Sequence, residues 1–359
     1  MNQPRIATPF LVMSLFGLVG CGPDVTWDGS TETVDGVQTV TNFGMPLLEE
    51  PPFSMEEINR IGGETLFDGL PFHRVSSAVQ DDAGNIYVSD VGNYRIIQFD
   101  SNGTFKQSFG SRGQGPNEFG AVGGITLYGD SLYVQDTRKL TISKVDMSEQ
   151  QILDAVHVEV YGRWGMDSDG TIHMASYLSL ASPDYPGMTS YSRDGHVIGE
   201  FWPTYGIVPD LSGVGAFPTV HFSTNRGYYA WPYPYRIEVL KRDLSPLFNL
   251  ELRDEEFLPP TKPRVVDGFN LAGSLPAQIS EVIEVEEQWI LVESRYSDVK
   301  KPHRVDIFDM DGKYLQYLHL EPGEGLTSYS NGVLWSTING GLLQDMTPWV
   351  IGRRLQERR

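Results

Sequence analysis

The chain has 359 residues, a formal net charge of −20 and a hydrophobic content of 40%, and it contains 38 Gly and 23 Pro. This length and composition suit one large folded domain, and the abundance of Gly and Pro favours a turn-rich all-β chain over a helical one. The strong negative charge argues against nucleic acid as a partner, because nucleic-acid binding needs a basic surface that contacts phosphates.

The extreme N-terminus has the pattern of a secretion signal. Arg5 supplies a positive charge, and residues 6–19 form an apolar stretch that is too short to span a bilayer. The stretch leads into Leu-Val-Gly-Cys at residues 18–21, which is similar to a bacterial lipobox. The resemblance implies that residues 1–20 are a signal peptide and that Cys21 becomes a diacylated N-terminus. The alternative is a plain secretion signal with a chance cysteine.

The residues that follow Cys21 indicate a tether and a destination. Residues 22–35 are polar and lack a hydrophobic period, so we predict that residues 21–35 comprise the lipidated cysteine and a flexible tether. Gly22 rather than Asp follows the cysteine, and the resemblance to sorted lipoproteins then implies the outer membrane of the cell envelope. The diacylglycerol on Cys21 is the only cofactor that we predict, and it makes the membrane a partner. With a single cysteine, no intramolecular disulfide can form.

Residues 84–110 predict four short β-strands joined by tight turns. Their β-prone runs IYVSD, RIIQF and TFKQSF are bounded by Gly, Asn and Asp. The turn Asp-Ser-Asn-Gly at residues 100–103 suits a hairpin, because Asn and Gly tolerate the positive φ angles that such turns require. Four antiparallel strands of this length form one blade of a β-propeller.

The second strand of this unit recurs along the chain. Copies follow one another at intervals of about 40 to 60 residues, in the range for four-stranded blades. Six copies occur, at residues 86–90, 132–136, 172–176, 228–232, 289–293 and 333–337. We therefore predict that residues 36–359 form a single all-β domain, a six-bladed β-propeller of four-stranded antiparallel blades.

The outermost strand of the sixth blade is missing from the C-terminal part of the chain. Residues 55–63 lead into the following segment in the way that outer strands do elsewhere. We predict that blade six takes its inner strands from residues 324–355 and its outermost strand from this N-terminal segment. Such a strand closes the ring and removes exposed sheet edges.

The sequence YVSDVGNYRIIQFDSNG at residues 87–103, followed by GSRGQGPNEF, resembles the NHL-repeat type of six-bladed β-propeller, and particularly its bacterial lipoprotein branch. The recurring Asp, Asn and Arg of that family correspond to Asp90, Asn93 and Arg95. We expect a structural role for them, because an Asp and an Arg that flank a tight turn can form an ion pair. The resemblance supports the fold rather than a biochemical activity.

One face of the ring is the predicted binding surface. It carries the loops between second and third strands and the connections between blades, which are free to vary. Arginines of these loops are suited to clamp an anionic group; they are Arg95, Arg138, Arg236, Arg295 and Arg304. Aromatic residues are suited to hold a protein, peptide or glycan; they are Tyr177, Tyr185, Trp231, Tyr233, Tyr235 and Tyr296. The alternative is that these rings pack against their own blades.

The central channel offers a second set of binding residues. Alignment of the first strands places Arg163 of blade three and Glu324 of blade six at one level, where the corresponding residues are small: Ser77, Gly123, Thr219 and Ser280. The two charged residues would face each other across the ring, either as channel-lining ligand groups or as a buried ion pair. The cost of an unpartnered buried charge favours the pair.

A metal-dependent propeller enzyme of lyase or lactonase type is the alternative function. Some propellers hold a metal in the channel through His or carboxylate ligands. His73 and His221 would differ in depth by about 20 Å in extended strands, so they cannot easily share one ion. His173 occupies a blade-packing position, and no HExxH, GxSxG or P-loop sequence occurs. We predict no metal ligands, and a binding or scaffolding module rather than an enzyme.

Overall fold

The computed structural model describes residues 26–159, 162–176, 179, 184–203, 217–259, 264–266, 269–271, 275–298, 300–339 and 347–358. The secondary-structure elements delimited within these residues are 28 β-strands. These residues include no helix that is long and apolar enough to cross a membrane. Three strands precede the first blade: β1 (Gly29–Val34), β2 (Val37–Asn42) and β3 (Phe53–Gly62).

Six four-stranded antiparallel blades follow one another around a ring. Blade 1 consists of β4 (Val75–Gln80), β5 (Ile86–Asp90), β6 (Arg95–Phe99) and β7 (Phe105–Phe109). Blade 2 consists of β8 (Val122–Tyr128), β9 (Ser131–Asp136), β10 (Thr141–Asp146) and β11 (Gln151–His157). Blade 3 consists of β12 (Trp164–Met166), β13 (Ile172–Ala175), β14 (Met188–Tyr191) and β15 (Val197–Phe201). Blade 4 consists of β16 (Thr219–Phe222), β17 (Arg226–Ala230), β18 (Arg236–Lys241) and β19 (Pro246–Leu252).

A short hairpin separates blade 4 from blade 5; its strands are β20 (Arg264–Val266) and β21 (Phe269–Leu271). Blade 5 consists of β22 (Ala277–Val285), β23 (Trp289–Tyr296), β24 (Arg304–Asp309) and β25 (Tyr314–His319). Blade 6 consists of β26 (Glu324–Ser330), β27 (Val333–Ile338), β28 (Trp349–Glu357) and the N-terminal β3. The predicted six-bladed propeller is confirmed, and each of the six predicted second strands overlaps a second strand of the ring.

The hairpin turns form for the predicted reason. In blade 1 the side-chain oxygen of Asp100 accepts hydrogen bonds from the backbone amides of Asn102 and Thr104, both at 2.9 Å. Gly103 then adopts a φ of 78°, which a residue with a Cβ rarely adopts. This turn reverses the chain between β6 and β7. The same type of turn occurs at Asp243 and Asp309 in later blades.

The N-terminal strand closes the ring as predicted. β3 lies antiparallel to β28, and the pairing extends from Phe53 opposite Glu357 to Gly62 opposite Trp349. The two ends of the chain therefore share one sheet, and the third strand of blade 6 does not present an open edge.

The tether predicted at residues 21–35 is shorter than expected. Residues 29–34 form β1, which pairs with β2, and β2 lies parallel to β19 at the outer edge of blade 4. Asn42, which is fully buried, accepts a hydrogen bond from Trp27 Nε1 at 2.7 Å and donates to the carbonyl oxygens of Glu251 and Gly312. A polar strand at an exposed edge needs no hydrophobic alternation, so these residues show no strand pattern in the sequence. Cys21 lies outside the described residues.

The hydrophobic core is divided among the blade interfaces. Six clusters of buried apolar side chains occur, and each combines residues from two neighbouring blades. Between blades 6 and 1, for example, Trp335 and Val350 pack with Val88 and Phe99. Polar bridges add to this packing, because the side-chain amide of Asn339 bonds both the N–H and the carbonyl of Val75 across the ring closure, at 2.8 and 2.6 Å.

Candidate functional site

A central cavity of about 890 Å³ lies where the six blades converge. It is lined by residues of the first strand of every blade, β4, β8, β12, β16, β22 and β26. This volume lies within the range of small-molecule sites, which are typically about 300–1,000 Å³.

The lining of the cavity differs from the sequence alignment because several first strands are bulged. In β22 the register shifts between Ile279 and Glu281, so the intervening Ser280 is the extra residue. A shift of one residue reverses which side chains face the axis. Glu281 therefore lines the cavity, whereas Ser280 donates a hydrogen bond to the carbonyl oxygen of Glu293 at 3.3 Å.

The predicted pair between Arg163 and Glu324 is wrong. Arg163 Nη1 lies 2.9 Å from Glu281 Oε2 and lines the cavity, as the prediction of a channel-lining residue required. Glu324 is fully buried beside Arg353 and Ser336, and Arg353 Nη2 donates to its Oε2 at 3.2 Å. Both residues pair with nearer groups. Arg163 pairs with Glu281 because the bulge in β22 turns that carboxylate toward the cavity.

A second carboxylate, Glu293 of β23, lies behind Glu281. Glu293 is fully buried, and its Oε2 accepts a hydrogen bond from the amide of Leu326 at 2.7 Å. Its Oε1 lies 2.7 Å from Nδ1 of His303 and 3.8 Å from Nη2 of Arg295. Cross-strand pairing in blade 5 places Glu281 directly opposite Glu293.

These residues occupy the mouth of the cavity on the predicted loop face. Arg163 precedes β12, Arg295 lies near the end of β23, and His303 precedes β24. All three positions adjoin the connections between blades or the loops between second and third strands, which share that face. We call Arg163, Glu281, Glu293, Arg295 and His303 the mouth cluster.

The two carboxylates have opposite pKa shifts. Burial raises the pKa of Glu281 to about 7, against the opposing effect of Arg163 and with a contribution from Glu293. Burial alone would also raise the pKa of Glu293, but His303 and Arg295 hold it below its ordinary value. Burial lowers the pKa of His221, deeper in the cavity, to about 4. His221 is therefore uncharged at neutral pH.

The charge of the cavity wall is opposite in sign to that of the protein. Among its described residues the wall carries Arg74, Arg163 and Arg295 against one lining carboxylate, Glu281, and the carboxylate of Glu293 is buried beside Arg295. The guanidinium-bearing side chains of Arg163 and Arg295 are 40% and 43% exposed, whereas that of Glu281 is 13% exposed. The rest of the wall is mixed: hydroxyl and amide side chains such as Gln135, Thr337 and Asn339 line it, and an apolar part includes Trp164, Met166, Phe217 and Phe222.

Three of the arginines predicted on the loop face are structural, as was expected for Arg95. Arg95 is buried with Asp90, and its Nε lies 3.0 Å from Oδ2 of that residue. Arg236 is buried and forms an ion pair with Glu251. Arg304 is also buried and pairs with Asp254 at 2.5 Å and with Asp306 at 3.0 Å. By contrast Arg138 is exposed, but it does not line the cavity.

Most of the predicted aromatic binding residues pack within the fold, which was the alternative reading of the sequence. Trp231 and Tyr235 are buried, and the hydroxyl of Tyr235 donates to Asp306 at 2.9 Å. Tyr233 is half-buried and packs against the core between blades 3 and 4. The hydroxyl of Tyr296 donates to Glu256 at 2.6 Å, although this residue also lines the cavity.

Two further aromatic positions have different outcomes. Tyr185 is 46% exposed and so remains available to a partner. Tyr177 lies outside the described residues.

The structural reading of His173 is confirmed. Its imidazole is buried, bonds Ser190 at 2.9 Å and Asp167 at 3.1 Å, and stacks on Phe222. Among the residues that the structure describes, no group of three or more His, Cys, Asp or Glu side chains is arranged to hold a metal ion.

Comparison with known proteins supports the fold. No protein-family model matches the sequence, and no curated protein is significantly similar to it. A solved member of the DUF4221 family from Bacteroides vulgatus has a TM-score of 0.60 at 11% identity, over 86% of this chain and 99% of that one. A Bacteroides fragilis protein named as exported has a TM-score of 0.57 at 11% identity, over 84% and 96% of the two chains.

A luciferin-regenerating enzyme is also similar in shape. Its TM-score is 0.52 at 13% identity, over 80% of this chain and 94% of that enzyme. At such identities the likeness shows the propeller arrangement and no activity. The resemblance to NHL repeats stays a prediction.

Proposed function

We propose that the protein is a lipid-anchored binding module of the bacterial cell envelope, which takes up its ligand in the central cavity from the loop face. The mouth cluster carries this proposal. It combines two half-exposed arginines with buried carboxylates, inside a cavity large enough for a small molecule. Convergent charged groups in a concavity that also offers apolar side chains are typical of ligand sites.

The envelope location is supported by the signal-like N-terminus and by Cys21. The similarity in shape to a protein named as exported agrees with it. Because the described fold already includes Trp27, only residues 22–26 would separate the lipidated cysteine from the propeller. A link of this length reaches at most about 20 Å, so the anchor would hold the outer edge of blade 4 close to the bilayer.

Recovery of a bound compound tests the binding function. The full-length protein would be purified in detergent from its native envelope, together with an Arg163→Gln, Arg295→Gln double variant, and small molecules extracted from each would be compared by mass spectrometry. We expect a compound that accompanies the wild type and is lost from the double variant. Arg138→Gln is the matched control, because Arg138 is exposed on the same face but outside the cavity. Equal recovery from all three proteins, or none from the wild type, would contradict the proposal.

Metabolic labelling with a fatty-acid analogue tests the anchor separately. The wild type should incorporate the label and Cys21→Ser should not, since Cys21 is the single cysteine. An unlabelled wild type would exclude the lipid anchor and leave the cavity proposal untouched. The metal-dependent lyase or lactonase stays an alternative suggested by the sequence alone.

A further inference from the structure

We infer that the ligand of the central cavity is an organic anion, with one carboxylate held by Arg163 and Arg295 and an apolar body that lies against the cavity wall. This inference rests on the proposed function and names the chemical class of its ligand. Three features of the cavity carry it: the sign of its charge, the unused donors of its arginines and the chemistry of its walls.

The sign of the charge is the first feature. The chain carries 47 acidic against 27 basic residues, yet three of the four fully ionic side chains that are described in the cavity wall are arginines. A concentration of positive charge inside a strongly acidic protein opposes the field of the whole molecule. It attracts a small anion into the cavity, while the acidic exterior repels polyanions.

The unused donors are the second feature. A guanidinium group has five N–H donors, and the only hydrogen bond found for the Arg163 side chain among the described residues goes from Nη1 to Glu281. Arg295 lies 3.8 Å from Glu293, beyond hydrogen-bond distance, and its Nε atom is buried with no hydrogen-bond partner in the described part of the chain. A ligand cannot reach that buried Nε from the cavity, but the Arg295 side chain is 43% exposed, so its outer N–H groups can donate to an acceptor supplied by a ligand. A carboxylate offers two acceptor oxygens to such a fork.

The carboxylates of the mouth cluster cannot replace a ligand in this role. Glu293 is fully buried, and its Oε2 is occupied by the amide of Leu326. Glu281 already accepts from Arg163 and, at 3.3 Å, from Thr219. Arg163 and Arg295 both line the cavity, so the exposed N–H groups of their guanidinium groups are open to a ligand.

The chemistry of the walls is the third feature. Trp164, Met166, Phe217 and Phe222 line the cavity beyond the mouth cluster. These side chains form an apolar patch that begins next to Arg163 and is suited to the apolar body of a ligand. The arrangement favours one anionic end and one apolar end.

Glu281 makes the binding depend on pH. It is a competitor for Arg163, and the other groups that face it are Thr219 and Glu293, the latter backed by Arg295 and His303. Because burial raises the pKa of Glu281 to about 7, acidification below neutrality protonates it and releases Arg163 to an anion. The affinity should therefore rise as the pH falls from about 8 to about 6, the range over which His221 stays uncharged.

The experiment compares matched probes by isothermal titration calorimetry of the full-length protein in detergent. Naphthylacetate supplies the carboxylate on an apolar body, naphthylacetamide is its neutral analogue, and benzyl phosphate replaces the carboxylate by a phosphate. We expect naphthylacetate to bind about ten- to a hundredfold more tightly than the amide, as charge-assisted hydrogen bonds allow. Arg163→Gln and Arg295→Gln should each remove most of this preference, and Arg138→Gln should retain it. Tighter binding of benzyl phosphate than of naphthylacetate would identify a phosphate rather than a carboxylate as the anion.

The role of Glu281 has its own test in the same assay. The wild type should bind naphthylacetate more tightly near pH 6 than near pH 8, and Glu281→Gln should bind with equal affinity at both. A pH dependence that persists in Glu281→Gln and disappears in His303→Gln would overturn the role assigned to Glu281. Equal affinity for naphthylacetate and its amide, or no binding of any anion at millimolar concentration, would overturn the anion. Neither outcome affects the result of the mass-spectrometry experiment, which recovers a native compound. Failure of this inference is therefore distinguishable from failure of the proposed function.

Discussion

Two arginine–carboxylate pairs of nearly equal length have different surroundings. Asp90 and Arg95 of blade 1 lie 3.0 Å apart with side chains that are 0% and 5% exposed, whereas Arg163 and Glu281 lie 2.9 Å apart at 40% and 13%. Arg95 also donates to the backbone carbonyls of Phe67, Leu70 and Pro71. Arg95 uses several of its donors within the fold, whereas the Arg163 side chain uses only Nη1, toward Glu281. The number of donors left over, rather than the length of the ion pair, separates a structural arginine from a candidate binding residue.

The largest effect on the free energy of unfolding is expected for a substitution in the buried pair of Asp90 and Arg95. In Asp90→Asn the charge of Arg95 would remain buried without its counter-ion, which costs about 3–5 kcal/mol. Asp90 also accepts hydrogen bonds from Asn93 and from the amide of His73, so the change disturbs the loop before β4 as well. The measurement is the free energy of unfolding in urea.

Asp169→Asn is the matched control for this prediction. Asp169 pairs with Arg242 on the surface, where the two side chains are 69% and 51% exposed, and its loss should cost less than about 1 kcal/mol. Equal destabilisation by the two variants would show that burial does not distinguish the pairs.

Glu324 tests whether a carboxylate whose hydrogen bonds are all made within the fold can be distinguished from a residue that binds ligand. It is fully buried with Arg353, and its Oε2 also accepts from the amide of Glu321 at 2.9 Å. Glu324→Gln should therefore cost about 3 kcal/mol in unfolding free energy, since a buried arginine loses its counter-ion. Its affinity for naphthylacetate should equal that of the wild type, and a weakened affinity would place Glu324 in the binding site after all.

The regular blade was predictable from sequence for local reasons. The turn at Asp100 and the ion pair of Asp90 and Arg95 each depend on residues that are close in the chain, so their types report the structure directly. The closing strand β3 was predictable too, because the repeat lacked one outer strand and the ring had to be completed.

The candidate site was predictable only in part. Arg163 and Arg295 were identified as binding residues from their positions at the loop face and the channel, and both line the cavity. Glu281 was missed because the bulge that turns it toward the axis leaves no signature in the sequence. The partner of Arg163 was wrong for the same reason. Non-local geometry of this kind follows from packing between blades, which a single sequence does not report.

The pH dependence of stability tests the environment of Glu281. Its pKa is about 7 in the folded protein against an ordinary value of 4.5, so the folded state binds the proton more tightly than the unfolded chain. Stability from this group is complete below about pH 4.5 and is lost as the pH rises to 7, a change on the order of 3 kcal/mol. The difference in unfolding free energy between the wild type and Glu281→Gln should vary with pH in this window.

The pKa of His221 shifts in the opposite direction and also makes stability depend on pH. The informative quantity is therefore the difference in unfolding free energy between the wild type and Glu281→Gln. Since the pKa of His221 is lowered to about 4, its contribution is present above its ordinary value of 6.5 and is lost as the pH falls toward 4. This contribution is common to the wild type and to Glu281→Gln, and it cancels. A difference that stays constant from about pH 4.5 to 7 would show that Glu281 has an ordinary carboxyl pKa.

The smallest effect on stability is expected for Arg163→Gln. This variant therefore tests most directly whether the Arg163–Glu281 pair differs from the structural pair of Asp90 and Arg95. The side chain of Arg163 is 40% exposed, and exposed ion pairs contribute about 0–1 kcal/mol to stability. The same substitution should raise the pKa of Glu281 above about 7, because Arg163 is the group that lowers it, and NMR of ¹³C-labelled carboxyl groups would measure the shift. A variant that unfolds as easily as Asp90→Asn would make Arg163 structural, and the leftover donors would then carry no information about a ligand. If the variant is stable, shifts Glu281 and loses naphthylacetate, the arginine is held in place by the fold and serves the cavity.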